Sequence, residues 1–128
     1  MVEPNGVTVL LLEDDDDFRE SLIDGLESYG FNVAAAAHID AIHQQHLLDH
    51  ASIAVLDLML EREQSSSLVR YIKVHPRHKD LQIIMISGYD HASKRALMWG
   101  ADHFLKKPFK VADLVDKIDA VLGIAREH

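Results

Sequence analysis

The hydrophobic positions of this chain form short continuous runs that alternate with segments of helical period. Residues 7–12, 52–57 and 82–87 are mainly apolar, and a polar or acidic residue ends or directly follows each run. Runs of this kind are typical of strands that are buried on both faces of a sheet. Two weaker runs, at 31–35 and 101–105, complete a set of five predicted strands.

The segments between these runs have apolar residues three and four positions apart, which is the period of an amphipathic helix. Phe18, Leu22 and Leu26 show this spacing, and Gly30 follows them as a helix stop. The other helices are predicted at 38–50, from Leu68 to a stop near His75 that Pro76 imposes, at 90–99 and at 111–122.

Five strands that alternate with five helices predict an α/β fold with a parallel sheet and helices on both of its faces. The chain contains no linker, internal repeat or low-complexity stretch. We therefore expect residues 1–128 to form one domain, with a core that extends from about residue 7 to residue 122.

The composition limits the possible partners and cellular compartment of the protein. With 128 residues and 48% hydrophobic positions, the chain can bury a substantial core. A formal net charge of −8 argues against direct binding of nucleic acid phosphates. No apolar run is long enough to span a bilayer, the N-terminus lacks a signal core, and the absence of cysteine fits a reducing compartment. These features predict a cytoplasmic protein without a membrane partner.

Two groups of residues allow more than one interpretation. His43, His46 and His50 have the spacing of one face of the predicted second helix, but no cysteine or carboxylate completes a zinc site. We therefore favour a solvated or partly buried histidine face. Met98 and Trp99 belong either to an exposed apolar pair or to the core.

Polar side chains stand where the predicted strands end. Glu13 and Asp14 follow the first strand, Asp57 ends the third, Ser87 ends the fourth, and Lys107 follows the fifth. Because ligands bind outside the carboxyl ends of parallel strands, we expect these groups to converge. Clustered carboxylates repel one another, and a hard cation such as Mg²⁺ relieves that repulsion.

At these positions the sequence resembles the receiver domains of two-component response regulators. The resemblance covers the chain from about residue 7 to residue 122 and implies the flavodoxin-like doubly wound sheet, with strand order 2-1-3-4-5. The segments that carry it are LLEDD at 11–15, VLDLML at 55–60, IMISG at 84–88 and GADHFLKKPF at 100–109.

The resemblance also implies a role for each matching residue. Asp57 matches the phosphoacceptor, Lys107 the lysine that contacts phosphoryl oxygen, and Ser87 the switch hydroxyl. The bond between Lys107 and Pro108 is typically cis in this family. Mg²⁺ is expected at Glu13 and Asp14, which match the family's acidic pair, at Asp57 and at the backbone carbonyl of Met59. Phe104 matches the aromatic switch. Met59 and Tyr89 match the two positions that set the dephosphorylation rate.

A receiver domain implies particular partners. The phosphoryl donor is expected to be a histidine kinase or a histidine phosphotransfer protein, and the domain catalyses its own phosphorylation and dephosphorylation. An output partner or a second copy of the chain is expected to bind the surface formed by the fourth helix, the fifth strand and the fifth helix. Asp16 and Asp17 fit an acidic helix start.

The sequence departs from the family pattern after Asp57. The family usually has a proline four residues on and a glycine eight residues on, but this chain has Glu61 and Ser65. Without a proline to restrict φ or a glycine to permit positive φ, we expect the loop at 61–67 to be mobile or differently shaped.

Two other functions remain as alternatives. One is a receiver-like interaction scaffold without phosphoryl chemistry, which the altered loop favours and the complete set of Asp57, Ser87 and Lys107 disfavours. The other is a haloacid dehalogenase type of phosphatase. That family requires a second aspartate two residues after the nucleophile, where this chain has Met59.

Overall fold

A computed structural model describes residues 3–126 and places a single five-stranded sheet at their centre. The strands are β1 (Thr8–Leu12), β2 (Asn32–Ala36), β3 (Ile53–Asp57), β4 (Gln82–Ser87) and β5 (His103–Lys106). Their order is β2-β1-β3-β4-β5, and every neighbouring pair is parallel. The predicted flavodoxin-like, doubly wound arrangement is confirmed.

Helices follow the strands in alternation, as predicted. No helix in the described residues is long and apolar enough to cross a membrane. The helices are α1 (Asp16–Ser28), α2 (Ile39–Gln44), α3 (Ser66–Val74), α4 (Ala92–Trp99) and α5 (Val111–Leu122), with short 3₁₀ helices at Pro4–Gly6 and Leu47–His50.

The sheet separates two hydrophobic clusters. Helices α1 and α5 cover one face, whereas α2, α3 and α4 cover the other. Within β1, Val9 and Leu11 face the first cluster and Leu10 and Leu12 face the second. All four side chains are fully buried, which explains why this strand is a continuous apolar run and does not alternate with polar residues.

The start of α1 confirms the interpretation of the acidic run. The Asp15 carboxylate accepts a hydrogen bond of 2.8 Å from the Phe18 N–H, so Asp15 caps the helix. Asp16 and Asp17 lie in the first turn, where the positive end of the helix dipole favours their charge. At the other end, Gly30 has a φ of 96°, a left-handed conformation that glycine adopts without a Cβ clash.

The predicted second helix at 38–50 is wrong in length. Helix α2 ends at Gln44, and His46 has a left-handed φ of 54° before the 3₁₀ helix begins at Leu47. A continuous helix that buries Ile42 would turn His46 inward and leave Leu48 outside. The break exposes His46 and buries Leu48 instead, so the three histidines do not share one helical face.

Other elements begin later than predicted because backbone groups near their ends bond elsewhere. The Ala101 N–H donates to the Ala96 carbonyl at the end of α4, and β5 begins at His103 instead of residue 101. His91 has a φ of 62°, so α4 begins at Ala92 instead of residue 90. The remaining strand ends agree with the prediction to within one residue.

Asp102 joins three elements next to β5. Its carboxylate oxygen Oδ2 lies 2.7 Å from the Lys73 ammonium on α3 and 2.8 Å from the backbone N–H of Ile83 on β4. The Asp102 N–H donates to the Ile83 carbonyl at 3.0 Å. The side chains of Asp102 and Lys73 are half-buried and Ile83 is fully buried, so water cannot readily replace these bonds.

We predict that Asp102→Ala lowers the free energy of unfolding by about 1–3 kcal/mol, since it leaves a buried N–H without an acceptor. The matched control is Asp90→Ala, because Asp90 forms an exposed ion pair with Lys106 and exposed pairs contribute roughly 0–1 kcal/mol. Urea unfolding measures both. Equal losses in the two variants would contradict the assignment of the Asp102 hydrogen bonds to the stability of the core.

Candidate functional site

The carboxyl ends of four strands bring the predicted site residues to one edge of the sheet. Asp57 is the last residue of β3 and Ser87 the last of β4. Glu13 and Asp14 directly follow β1, and Lys107 directly follows β5. Residues that are 94 positions apart in the chain contact one another here, as the predicted parallel sheet requires.

Lys107 connects two of the acidic residues. Its ammonium nitrogen Nζ lies 2.7 Å from Glu13 Oε1 and 3.2 Å from Asp57 Oδ2. The backbone N–H of Lys107 donates a 2.8 Å hydrogen bond to the Ser87 carbonyl, which holds the start of the segment after β5 against the end of β4. The peptide bond to Pro108 is cis, as the resemblance implied.

Glu13 is 1% exposed and has a partner for each of its carboxylate oxygens. Oε1 accepts from Lys107, and Oε2 accepts from the Asp15 N–H at 3.1 Å. The Glu13 carbonyl accepts from the Arg19 guanidinium at 2.9 Å, which secures the backbone as well. Glu13 therefore adds a fixed negative charge to the site and orients Lys107.

Glu13, Asp14 and Asp57 can each offer one oxygen to a common point, because these oxygens lie within 4.8 Å of one another. One lysine neutralises part of three carboxylates and leaves a net negative charge. Oxygen ligands and unbalanced negative charge are the conditions that a hard cation requires, so these residues fit Mg²⁺.

The electrostatics of Asp57 reflect this crowding. Burial, followed by the negative charge of Glu13, raises the pKa of Asp57 to about 7, although Lys107 acts in the opposite direction. Burial also opposes the charge of Lys107, but its hydrogen bond to Glu13 and the charge of Asp57 outweigh burial and raise the Lys107 pKa. The ionised carboxylate of Asp57 is thus held in an unfavourable environment.

The residues beside Asp57 and Ser87 have different degrees of exposure. The Met59 N–H approaches Asp57 Oδ1 at 3.4 Å, and the Met59 side chain is half-buried. The buried Ser87 hydroxyl accepts from the Tyr89 N–H at 3.1 Å, whereas the Tyr89 side chain is 62% exposed. The hydrogen bond of the Ser87 hydroxyl is therefore made to its own loop and not to Asp57.

The predicted aromatic switch and its neighbours lie on the far side of β4. Phe104 on β5 is half-buried and packs against the cluster that α2, α3 and α4 cover. Trp99 is half-buried against the same cluster, whereas Met98 is 85% exposed. The two residues thus divide between the alternatives that the sequence left open.

The loop after Asp57, which the sequence predicts to be mobile or differently shaped, is a closed turn that hydrogen bonds hold together. The Leu60 N–H donates to the Glu63 carbonyl at 2.9 Å, and an isolated antiparallel bridge pairs Met59 with Gln64. Ser65 is fully buried, and its N–H and hydroxyl both donate to the Leu58 carbonyl at 3.2 Å. The φ of Ser65 is −79°, so this turn does not need the glycine that the family usually has.

Three residues that support the site were not identified from the sequence. The Phe18 ring lies 4.7 Å from the Lys107 ammonium, Arg19 donates to the Glu13 backbone, and Ser65 closes the turn after Asp57. Phe18 matched the inward face of α1, so its position signalled core packing and not a cation–π contact. Arg19 has no periodic or motif signal, and Ser65 is notable only as the residue that replaces the usual glycine, because neither spacing nor motif predicts a hydrogen bond to a backbone carbonyl.

Comparisons with known proteins agree with this geometry. The family model described as the response regulator receiver domain matches residues 9–119. The transcriptional regulatory protein GltR of Pseudomonas aeruginosa is 37% identical over 124 residues, which are 95% of this chain and 51% of GltR. The phosphate regulon transcriptional regulatory protein PhoB of Escherichia coli is 28% identical over 116 residues, 89% of this chain and 51% of PhoB.

This chain therefore spans about half the length of these two regulators. Among solved structures, the chemotaxis response regulator CheY4 of Vibrio cholerae has a TM-score of 0.80 at 19% identity. The match covers 90% of this chain and 98% of CheY4. At that identity the likeness shows a common fold.

The raised pKa of Asp57 predicts a pH-dependent cost to stability in metal-free protein. A carboxyl group with a raised pKa in the folded state stabilises the fold at low pH, and this contribution is lost as the pH rises from 3.8 to about 7. We expect Asp57→Asn to match wild type near pH 4 and to exceed it by roughly 2–4 kcal/mol at pH 8, at about 1.4 kcal/mol per pKa unit.

Urea unfolding in the presence of a chelator measures this difference across the pH range. Asp24→Asn removes an exposed carboxylate from α1 and serves as the control, with little expected change. A gap between wild type and Asp57→Asn that stays constant from pH 4 to pH 8 would disprove the interpretation.

Proposed function

The chain belongs to the response regulator receiver domain family, and on that premise we propose that it is a phosphorylation-dependent signalling switch with Asp57 as the phosphoacceptor. The observation that carries the proposal is the placement of Asp57 at the end of β3, within 3.2 Å of the Lys107 ammonium and beside Glu13 and Asp14. A buried carboxylate with a raised pKa at a strand end is typical of a functional group.

Mg²⁺ is the cofactor that we propose. Asp14, Asp57 and the Met59 carbonyl would hold it, while Glu13 would contribute charge because both of its oxygens are already hydrogen-bonded. When bound, the ion neutralises charge on the phosphoryl oxygens and on the clustered carboxylates.

The proposed reaction transfers a phosphoryl group from a phosphohistidine of a kinase or a phosphotransfer protein. An Asp57 carboxylate oxygen attacks phosphorus in line, the phosphorus–nitrogen bond of the donor breaks, and an acyl phosphate forms. The donor imidazole leaves with the bonding electron pair. Lys107 lies where its ammonium can stabilise the negative charge that spreads over the phosphoryl oxygens.

We further propose that the signal leaves the site through Ser87 and Phe104. A phosphoryl oxygen is a strong acceptor, so the Ser87 hydroxyl, which accepts from the Tyr89 N–H, would turn towards it and donate its own proton. Phe104, which is half-buried, would then bury more of its ring. The surface of α4, β5 and α5 would change shape and bind an output partner or a second copy of the chain.

We expect the phosphoryl transfer to take place in the cytoplasm, because a sequence without cysteine fits a reducing compartment. GltR and PhoB are named as transcriptional regulators, but this acidic chain spans about half of each. We therefore assign no nucleic acid contact to the chain itself.

We predict that incubation with acetyl phosphate and Mg²⁺ adds one hydroxylamine-sensitive phosphoryl group to the wild-type protein, because an acyl phosphate can replace the phosphohistidine donor. Intact mass spectrometry measures the addition. Asp57→Asn should gain none, whereas the control Asp24→Asn should gain one. Unchanged labelling of Asp57→Asn would refute Asp57 as the acceptor, and an unlabelled wild type would favour the interaction scaffold.

We also predict slow loss of the phosphoryl group. Met59 and Tyr89 flank Asp57 and Ser87, and neither side chain carries a carboxylate or amide that can orient an attacking water. The double variant Met59→Asn/Tyr89→Glu should lose the group about tenfold faster, a modest share of the roughly 100-fold or more that positioned acid–base groups can contribute.

The decay of phosphorylated protein after removal of acetyl phosphate measures this rate. Leu97→Asn changes an exposed apolar residue of α4 and should decay at the wild-type rate. Equal decay of wild type and the double variant would rule out a role for these two positions.

A further inference from the structure

The turn after the phosphoacceptor contacts the acidic cluster through its backbone. The N–H of Glu61 donates a hydrogen bond to Asp14 Oδ2. Proline, which the family usually has at this position, has no N–H and cannot make this bond. The departure at Glu61 therefore gives this chain a donor next to a carboxylate that we assign to the cation site.

Several hydrogen bonds hold this donor in place. The Leu60 N–H is bonded to the Glu63 carbonyl at 2.9 Å, and Ser65 is bonded to the Leu58 carbonyl through its N–H and its hydroxyl. The Glu63 carboxylate oxygen Oε2 also accepts from the Ile39 N–H at 3.2 Å, which joins the turn to the start of α2. Glu61 thus belongs to a turn that is secured at its base and at its outer side.

A fixed N–H orients a carboxylate without removing its charge. Asp14 is half-buried, and its Oδ2 accepts from the Glu61 N–H. A carboxylate has about four lone-pair sites, so this bond leaves the others available to a cation. Hydrogen bonds to ligating groups typically improve metal affinity by about 10–100-fold.

We propose that the backbone amide of Glu61 is a positioning group for the divalent cation and that it orients Asp14 towards the shared site with Glu13 and Asp57. This inference rests on the proposed function, because it requires Asp14 to be a ligand. The turn after Asp57 thereby performs two tasks: it carries the Met59 carbonyl and it orients the Asp14 carboxylate, which lies just after β1.

The test compares Glu61→Pro with Glu61→Ala. Both variants lose the same side-chain charge, but only proline removes the N–H. Isothermal titration with Mg²⁺ should show a dissociation constant about tenfold higher for Glu61→Pro than for Glu61→Ala. Arg62→Pro controls for stiffening of the turn, since the Arg62 N–H has no hydrogen-bond partner among residues 3–126, and it should bind Mg²⁺ at least as tightly as wild type.

Equal affinities of Glu61→Pro and Glu61→Ala, or an equal loss in Arg62→Pro, would overturn the inference while leaving the cation site intact. A wild-type protein that binds no Mg²⁺ would instead refute the proposed function. If a proline variant does not fold, amide hydrogen exchange tests the hydrogen bond between the Glu61 N–H and Asp14 directly. The Glu61 amide should be protected in metal-free wild type and should exchange about tenfold faster in Asp14→Ala, and an unprotected Glu61 amide in wild type would refute the bond.

Discussion

The Lys107 ammonium is the contact on which the rest of the site depends. The parallel strands β1 and β3 place their carboxylates at the same edge of the sheet, where these like charges repel one another. Lys107 reaches across from the end of β5 and bonds Glu13 and Asp57 together, while its own backbone N–H bonds the end of β4. Four strand ends are therefore joined by one residue. If either ion pair were broken, a buried carboxylate would lose its cation, which costs far more than an exposed pair contributes.

This arrangement stabilises the fold incompletely. One ammonium cannot balance three carboxylates, and the raised pKa of Asp57 reflects burial first and the negative charge of Glu13 second. The hydrophobic clusters on both faces of the sheet offset this local cost, because the apolar side chains of β1 and β3 are fully buried. The site therefore has an excess of negative charge, which a bound cation or a proton can neutralise. A receiver domain in our proposal uses that excess charge to bind Mg²⁺ and to keep Asp57 reactive.

The turn after Asp57 shows how a departure from the family pattern is accommodated. Proline and glycine usually shape this turn through restrictions on φ. Here the same task is performed by hydrogen bonds of Ser65 to the Leu58 carbonyl and of Glu63 to the start of α2. The substitution also adds a backbone donor, the N–H of Glu61, that contacts Asp14. The replacement of the usual proline and glycine therefore changes the contacts of the loop, and hydrogen bonds still hold the loop in place.

The sequence by itself determined the strand and helix order, the parallel sheet and the edge at which Glu13, Asp14, Asp57, Ser87 and Lys107 meet. The hydrophobic period is a local property that locates the strands, and a parallel sheet aligns the carboxyl ends of those strands along one edge. Tertiary structure alone decided the break of the second helix at His46, the positions of Met98 and Trp99, and the partners of Glu13, Arg19 and Ser65. Each of these depends on which groups lie within hydrogen-bonding or packing distance once the chain has folded. That information is not contained in the spacing of residues along the chain.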